Sequence, residues 1–299
     1  MTDFGHPITF GLSLDPDVRR LAETRRLAGA AAAGGLDYLA VQDHAYQPGH
    51  FDAWTLITHL AAETERISFL TDVADLQLRP PTMLAKAAAS LSVLTQGRIV
   101  LGLGGGAFAD AIAGMGGQRR GGPEMVAYTE DSLHVMRAAL AGSTVRLRSD
   151  QHVIEGYAAG PVPPAPIPLW LGSQKPRMLA VTGRSSDGWI SPLNIYVAPD
   201  EVPAKQKIID DAARGAGRDP ADIRRIYNVI GAIGDLRGAP GLVGDVRLWI
   251  GTLTGWAVDL GFDTFVFWPV AEHLAQLEVF AAEVAPAVRE RVREIRGTR

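Results

Sequence analysis

No cysteine occurs among the 299 residues, which excludes a disulfide framework, a thiolate metal site and a cysteine nucleophile. Long apolar runs are missing as well. The longest, residues 27–33 and 99–103, fall far short of the roughly 20 residues that span a bilayer, so no membrane partner is expected. An export signal needs a basic start and an apolar stretch. Residues 1–7 are short and polar and residues 8–14 are only strand-length, so a cytoplasmic protein is the expectation. Positive charge is not in excess either. With 29 Lys and Arg against 33 Asp and Glu the net charge is −4, and a nucleic-acid-binding face is not expected. No His-x-His or His-Glu-x-x-His spacing occurs, and Asp43, His44 and His50 make a thin ligand set, so no metal is expected.

What is present suffices for one large core, since 47% of the residues are hydrophobic and an α/β barrel occupies about 250 residues as a single unit. β-rich runs begin near Ile8, Asp37, Ile67 and Arg98, each followed by helical apolar spacing. Their intervals of about 30 residues match one βα unit. Asp15-Pro16 supplies a cap and a first-turn proline for a helix ending at Gly34-Gly35, and Asp52 can cap a second. A third runs over residues 81–94, with Leu84, Ala88, Leu91 and Leu94 on one face. Regularity breaks at residues 104–123, which hold eight glycines and the pair Arg119-Arg120. This reads as a long functional loop or lid. A helix over 124–140 and a polar, Pro-rich connection to Pro168 follow. Four further strands fit residues 168–172, 188–191, 224–233 and 264–268, with helices over 176–183, 199–213, 243–260 and 272–292. Eight strands with eight helices predict an α/β fold, a closed (β/α)₈ TIM-type barrel. Residues 1–299 then form one domain, with an insertion or lid after the fourth strand at about 104–167.

In such a barrel the chemistry belongs at the C-terminal ends of the strands. Asp43-His44 leaves the second strand as an adjacent acid and imidazole, and imidazole titrates closest to neutrality. The alternative is that His44 satisfies loop carbonyls. Residues 101–107 match the loose G-x-G-x-x-A dinucleotide pattern, but no acid follows about 20 residues on. Glycines placed for close approach of a flat ring are the better reading. Gly172-Ser173-Gln174-Lys175 lies between a strand and a helix opening at Pro176, where free N–H groups would favour an anion, or it is simply a tight turn.

Five segments in order, residues 37–44, 71–73, 97–106, 168–173 and 187–190, together resemble the bacterial luciferase-like monooxygenase family. The resemblance covers residues 8–288. It implies a barrel that binds reduced FMN or the deazaflavin coenzyme F420 at the strand ends, F420 being slightly preferred. It further implies a ring lying against a third-strand bulge at Thr71, Asp72 and Val73 with a cis peptide at Asp72-Val73. Gly104, Gly105 and Gly106 are the glycines read as placed for that close approach to the ring; by the resemblance Gly172 and Ser173 contact the cofactor tail, and His44, beside Asp43, is the active-site histidine. F420-dependent sugar-phosphate dehydrogenases of this superfamily carry an acid where Ala107 stands, and a threonine and a lysine where Pro192 and Ile195 stand, although Asp110 lies close by.

The expected function is an oxidoreductase that uses F420 or reduced FMN to transfer a hydride to, or oxygenate, a small organic substrate. Phe108, Trp189 and Trp268 would line the substrate pocket. A homodimer through the early helices, and a separate reductase supplying reduced cofactor, are the expected partners. Competing readings are a catalytically silent barrel, motivated by Ala107, and a metal-dependent barrel hydrolase.

Overall fold

Eight parallel strands close on themselves in a ring. They are β1 (Thr9–Leu14), β2 (Tyr38–Val41), β3 (Ser68–Thr71), β4 (Ile99–Gly104), β5 (Leu169–Gly172), β6 (Gly188–Ser191), β7 (Arg224–Ile233) and β8 (Thr264–Pro269). Each pairs with the next, and β8 pairs back to β1. The computed structural model describes residues 3–298; the outermost residues of the expected 1–299 domain, Met1, Thr2 and Arg299, lie outside the described residues.

Because both faces of a parallel barrel are buried, alternate residues fill two separate apolar layers. Ala40, Leu70, Val100, Trp170, Ile190, Ile226 and Val266 plug the interior. Phe10, Leu39, Phe69, Leu101, Leu171, Trp189, Tyr227 and Phe265 point outward against the helices. Each such large side chain contributes about 1.5–3 kcal/mol relative to exposure.

The helices are α1 (Leu21–Ala33), α2 (Ala53–Glu63), α3 (Pro81–Leu94), α4 (Ala109–Gly114), α5 (Gly122–Leu140), α6 (Pro176–Ser185), α7 (Val202–Gly215), α8 (Val246–Leu260), α9 (His273–Val279) and α10 (Ala285–Gly297). Asp52 caps α2 through the Thr55 N–H at 2.9 Å. Asp15 does not cap the first helix, because its carboxylate is spent on the Asp17 N–H and the Arg20 guanidinium. Asp17 instead caps a short 3₁₀ turn that leads into α1. The last expected helix is split by a π turn at Phe280–Val284. Pro286 follows in the first turn of α10, where its missing N–H breaks the regular ladder.

Between β4 and β5, α5 packs on both α3 and α6 and so belongs to the barrel's own helical ring. The added parts are the loop around α4 and an antiparallel hairpin, Thr144–Arg148 with Val153–Ala158. That hairpin stands where a polar, Pro-rich connection was expected.

The N-terminal end of the barrel is closed by a repeated device. Asp37, Asp187 and Asp263 each stand one residue before a strand and accept an N–H from the first or second residue of a neighbouring strand, namely Phe10, Leu169 and Arg225 respectively. Each also takes a guanidinium, from Arg289, Arg137 and Arg224.

Candidate functional site

At the opposite end the third strand breaks. β3 ends at Thr71, whose hydroxyl donates to the Gly102 carbonyl at 2.7 Å. The Asp72-Val73 peptide that follows is cis, where the resemblance places it. Pairing with β4 then resumes at Ala74 and Asp75. The glycines of β4 explain how the bulge fits. A Cβ on Gly102 would lie 1.9 Å from the Thr71 carbonyl oxygen, and one on Gly104 would lie 2.6 Å from a Val73 methyl. On the other side, a Cβ on Gly172 would sit 3.1 Å from Val73. The Val73 side chain thus lies over the bare backbones of Gly104 and Gly172. Gly105 differs, since a side chain there would meet Met125, Met178 and Thr129 of the helical layer. Gly106 takes a φ of +89°, a conformation that glycine adopts at little cost.

His44 and Asp43 leave β2 in different directions. The Asp43 carboxylate is buried and accepts both Nε and Nη2 of Arg79, at 2.5 and 2.6 Å, and the Asp75 N–H at 3.1 Å. It ties the β2 loop to the segment after the bulge. His44 turns into an aromatic cluster, with ring centroids 5.5 Å from Tyr46 and 5.6 Å from Phe108. Burial in this cluster, and the nearby His50, hold its imidazole below the ordinary value, so the ring is neutral at pH 7. Its Nδ1 lies 2.5 Å from the Tyr46 hydroxyl. Burial pushes that phenol up to about 12. A neutral phenol is a better donor than acceptor towards an imidazole nitrogen, so the His44 proton resides on Nε2.

A polar chain crosses the barrel above its apolar plug. The Trp268 Nε1 donates to Asn228 Oδ1 at 3.1 Å, and Asn228 Nδ2 donates to Asp72 Oδ1 at 3.2 Å. Asp72 is only 9% exposed and its Oδ2 has no partner. Burial is the main cause that pushes its carboxyl up to about 6, against a smaller opposite effect of the Asn228 bond.

Two residues sit elsewhere than the sequence suggests. Trp189 is 0% exposed and stacks on Phe262 in the outer layer, because alternation along β6 turns Ile190, not Trp189, inward. It is therefore not part of a substrate pocket. The Ser173 hydroxyl is bound to Thr182 at 2.8 Å and its N–H points to the Ile190 carbonyl. The exposed charges of that turn are Lys175 and Arg177 at the start of α6. Phe108 stays 55% exposed beside His44, and Trp268 is half-buried near the mouth.

Sequence reasoning missed Asn228, Tyr46 and Arg79. The one available signal was Asn228, an inward-phase amide in a strand whose other inward residues, after Arg224, are Ile226 and Ile230. It also missed the anchor of the lid. The Arg120 guanidinium lies 3.9 Å over the Tyr128 ring, and His152 stacks on the same ring at 4.5 Å. Arg120 also donates to Gln77, which holds the Gly105 carbonyl. Among the described residues no group of three or more His, Asp and Glu side chains is placed to hold a metal ion.

A strand-end site with a bulged third strand on a closed barrel defines a class, and the comparisons name it. The sequence pattern of the luciferase-like monooxygenase family matches residues 2–239, and this chain belongs to that family. It is 30% identical over 224 residues to the F420-dependent glucose-6-phosphate dehydrogenase of Rhodococcus erythropolis, covering 69% of this chain and 63% of that one. It is 31% identical over 223 residues to the 5,10-methylenetetrahydromethanopterin reductase of Methanolobus tindarius, covering 72% and 63%. The chain thus spans somewhat under two thirds of the length of these curated relatives. An F420-dependent secondary alcohol dehydrogenase in complex with an F420-acetone adduct superposes with a TM-score of 0.84 at 16% identity, over 95% of this chain and 99% of that one. A long-chain alkane monooxygenase superposes with a TM-score of 0.78 at 13% identity, over 96% and 92%.

Proposed function

We propose that this chain is an oxidoreductase that binds F420, or reduced FMN, at the mouth of the barrel and acts on a small apolar organic molecule. The observation that carries the reading is the convergence of three features at the strand ends. These are the Val73 bulge seated on Gly104 and Gly172, a neutral His44 with its proton on Nε2, and a buried carboxylate oxygen of Asp72 left without a partner. They suit a flat ring with a polar edge. Thr71, Asp72 and Val73 would face that ring, with the Gly104 to Gly106 backbone beside them. The start of α6, where Lys175 and Arg177 are exposed, would receive a phosphate-bearing tail. When bound, reduced F420 would supply a hydride, or its oxidised form accept one, and reduced FMN would supply the electrons that activate oxygen.

The protein's own part is orientation, exclusion of water and proton transfer. His44 presents its Nε2 proton to a substrate oxygen while the Tyr46 hydroxyl holds Nδ1. Phe108 and Trp268 provide apolar walls. The F420-dependent relatives favour F420 over FMN. An apolar substrate is supported by Phe108, Met115, Ile195 and Tyr196, which are all exposed on loops after β4 and β6. Ala107 and Ile195, standing where sugar-phosphate enzymes carry an acid and a lysine, argue in the same direction.

The same reading includes a homodimer through the early helices, where Met83, Val93 and Leu94 of α3 are exposed. It also includes a separate reductase to supply reduced cofactor, and a cytoplasmic location. No helix among the described residues is long and apolar enough to cross a membrane.

Titration with oxidised F420 and with FMN, read by quenching of ring fluorescence, tests the proposal. Saturable quenching by at least one of them is expected, with F420 the tighter. Absence of binding by both, reduced and oxidised, would overturn it.

A further inference from the structure

We propose that Asp72 Oδ2 is the acceptor for the pyrimidine N–H of the bound ring, and that Asn228 is the positioning residue that decides which Asp72 oxygen is offered. The inference rests on the cofactor reading above and deepens it. A carboxylate oxygen buried without a partner is costly, and native proteins satisfy the great majority of such atoms. Here one oxygen is satisfied and the other is not. The arrangement is fixed from behind. Trp268 is a pure donor, so its Nε1 requires the carbonyl end of Asn228, which turns the Asn228 amide nitrogen towards Asp72. Asp72 Oδ1 is thereby occupied, while Oδ2 is enclosed and lacks a donor, which a ring seated against the bulge would supply. The carboxylate lies in the bulge itself, next to Val73, at the end of the barrel where ligands bind. Its neighbours offer no competing charge: among the described residues Asn228 is its one side-chain hydrogen-bond partner, and Asp43 on β2 is already held by Arg79. Oxidised flavin and deazaflavin rings carry one ring N–H, at N3 between two carbonyls, which is the donor this oxygen lacks.

The chain of orientations makes a polarity test possible. In Asp72→Asn the new side chain must give its carbonyl to Asn228 and would turn its NH₂ to where Oδ2 stood, so a donor would face the ring's donor. Riboflavin, 8-hydroxy-5-deazariboflavin and their N3-methyl derivatives are titrated by fluorescence against wild type, Asp72→Asn and Asp72→Ala, each first shown to be folded by its melting transition. Wild type should favour each parent ring over its N3-methyl form by about tenfold or more, and Asp72→Asn should bind the parents about ten- to a hundredfold more weakly. Asp72→Ala, which has room for the methyl group, should bind parent and methylated rings alike. The proposal is overturned if Asp72→Ala keeps the wild-type preference, or if folded Asp72→Asn binds the parent rings as wild type does. If wild type binds none of the four rings, the cofactor reading falls and this inference with it; binding without N3 discrimination removes the inference alone.

Discussion

The two ends of the barrel use the same chemical groups in opposite ways. At the N-terminal end Asp37, Asp187 and Asp263 each accept a backbone N–H and a guanidinium, so those carboxylates are both neutralised and hydrogen-bonded. At the C-terminal end Asp72 is more deeply enclosed than Asp37, yet it has one amide partner and one empty oxygen. The first arrangement stabilises strand register. The second is less stable by the same rule, and is the arrangement that the proposed ring site would need in a group kept for a ligand.

Exchanging the properties of the two ends gives the sharpest tests. The largest expected effect is at the mouth, where His44→Ala should lower turnover by about 10²–10⁴-fold with little change in stability or cofactor affinity. Steady-state kinetics beside a melting curve would show it, and wild-type turnover would remove His44 from the mechanism. At the floor, Asp263→Ala leaves the Arg225 N–H unpaired and takes the carboxylate from the Arg224 guanidinium, which keeps only neutral acceptors at Pro7, Thr9 and Thr264, and should cost about 3–5 kcal/mol in urea unfolding. Ring affinity of the folded fraction should not change.

Asp72→Asn should do the reverse and increase stability. Its carboxyl is raised from 3.8 to about 6 on folding, so the native state holds the proton more tightly than the unfolded chain. Wild-type stability therefore falls as pH rises from about 4 to about 6, by a total of about 3 kcal/mol, and stays low above that. The variant lacks this slope. Urea midpoints of the two proteins at pH 4 and pH 8 should diverge only at pH 8, and a less stable variant at pH 8 would contradict the comparison. Tyr46→Phe removes one neutral hydrogen bond to His44 Nδ1, and should lower turnover by only about two- to tenfold. Smallest of all, Arg119→Ala breaks a pair with Asp110 in which both side chains are mostly exposed, and should shift stability by no more than about 0.5 kcal/mol.

Strand starts near Ile8, Asp37, Ile67 and Arg98 and the helix over Pro81–Leu94 were legible because each depends on local periodicity and caps. The bulge at Asp72 was legible only through the family resemblance, since nothing in Thr-Asp-Val-Ala dictates a break in a strand. Trp189 was misplaced because a four-residue apolar strand, Gly-Trp-Ile-Ser, does not announce which phase faces inward. The first strand of the hairpin did carry a signal that went unread: Thr144, Arg146 and Arg148 are exposed and alternate with Val145 and Leu147, the period of a half-buried strand, within a stretch whose polar and proline content suggested a connection. Asp72 and Asn228 lie 156 positions apart, so their bond exists only once the ring of strands has closed. Asp43 and His44 show the opposite error, for adjacency in sequence suggested a pair whose members the fold turns towards different partners.

The most direct measurement is a crystal structure of the protein grown with oxidised F420, and in parallel with FMN. The account predicts ring density at the mouth of the barrel, packed on Val73, with its N3 within hydrogen-bond distance of Asp72 Oδ2 and His44 Nε2 facing the substrate space. A ring bound elsewhere on the molecule, or density for neither cofactor at saturating concentration, would contradict it.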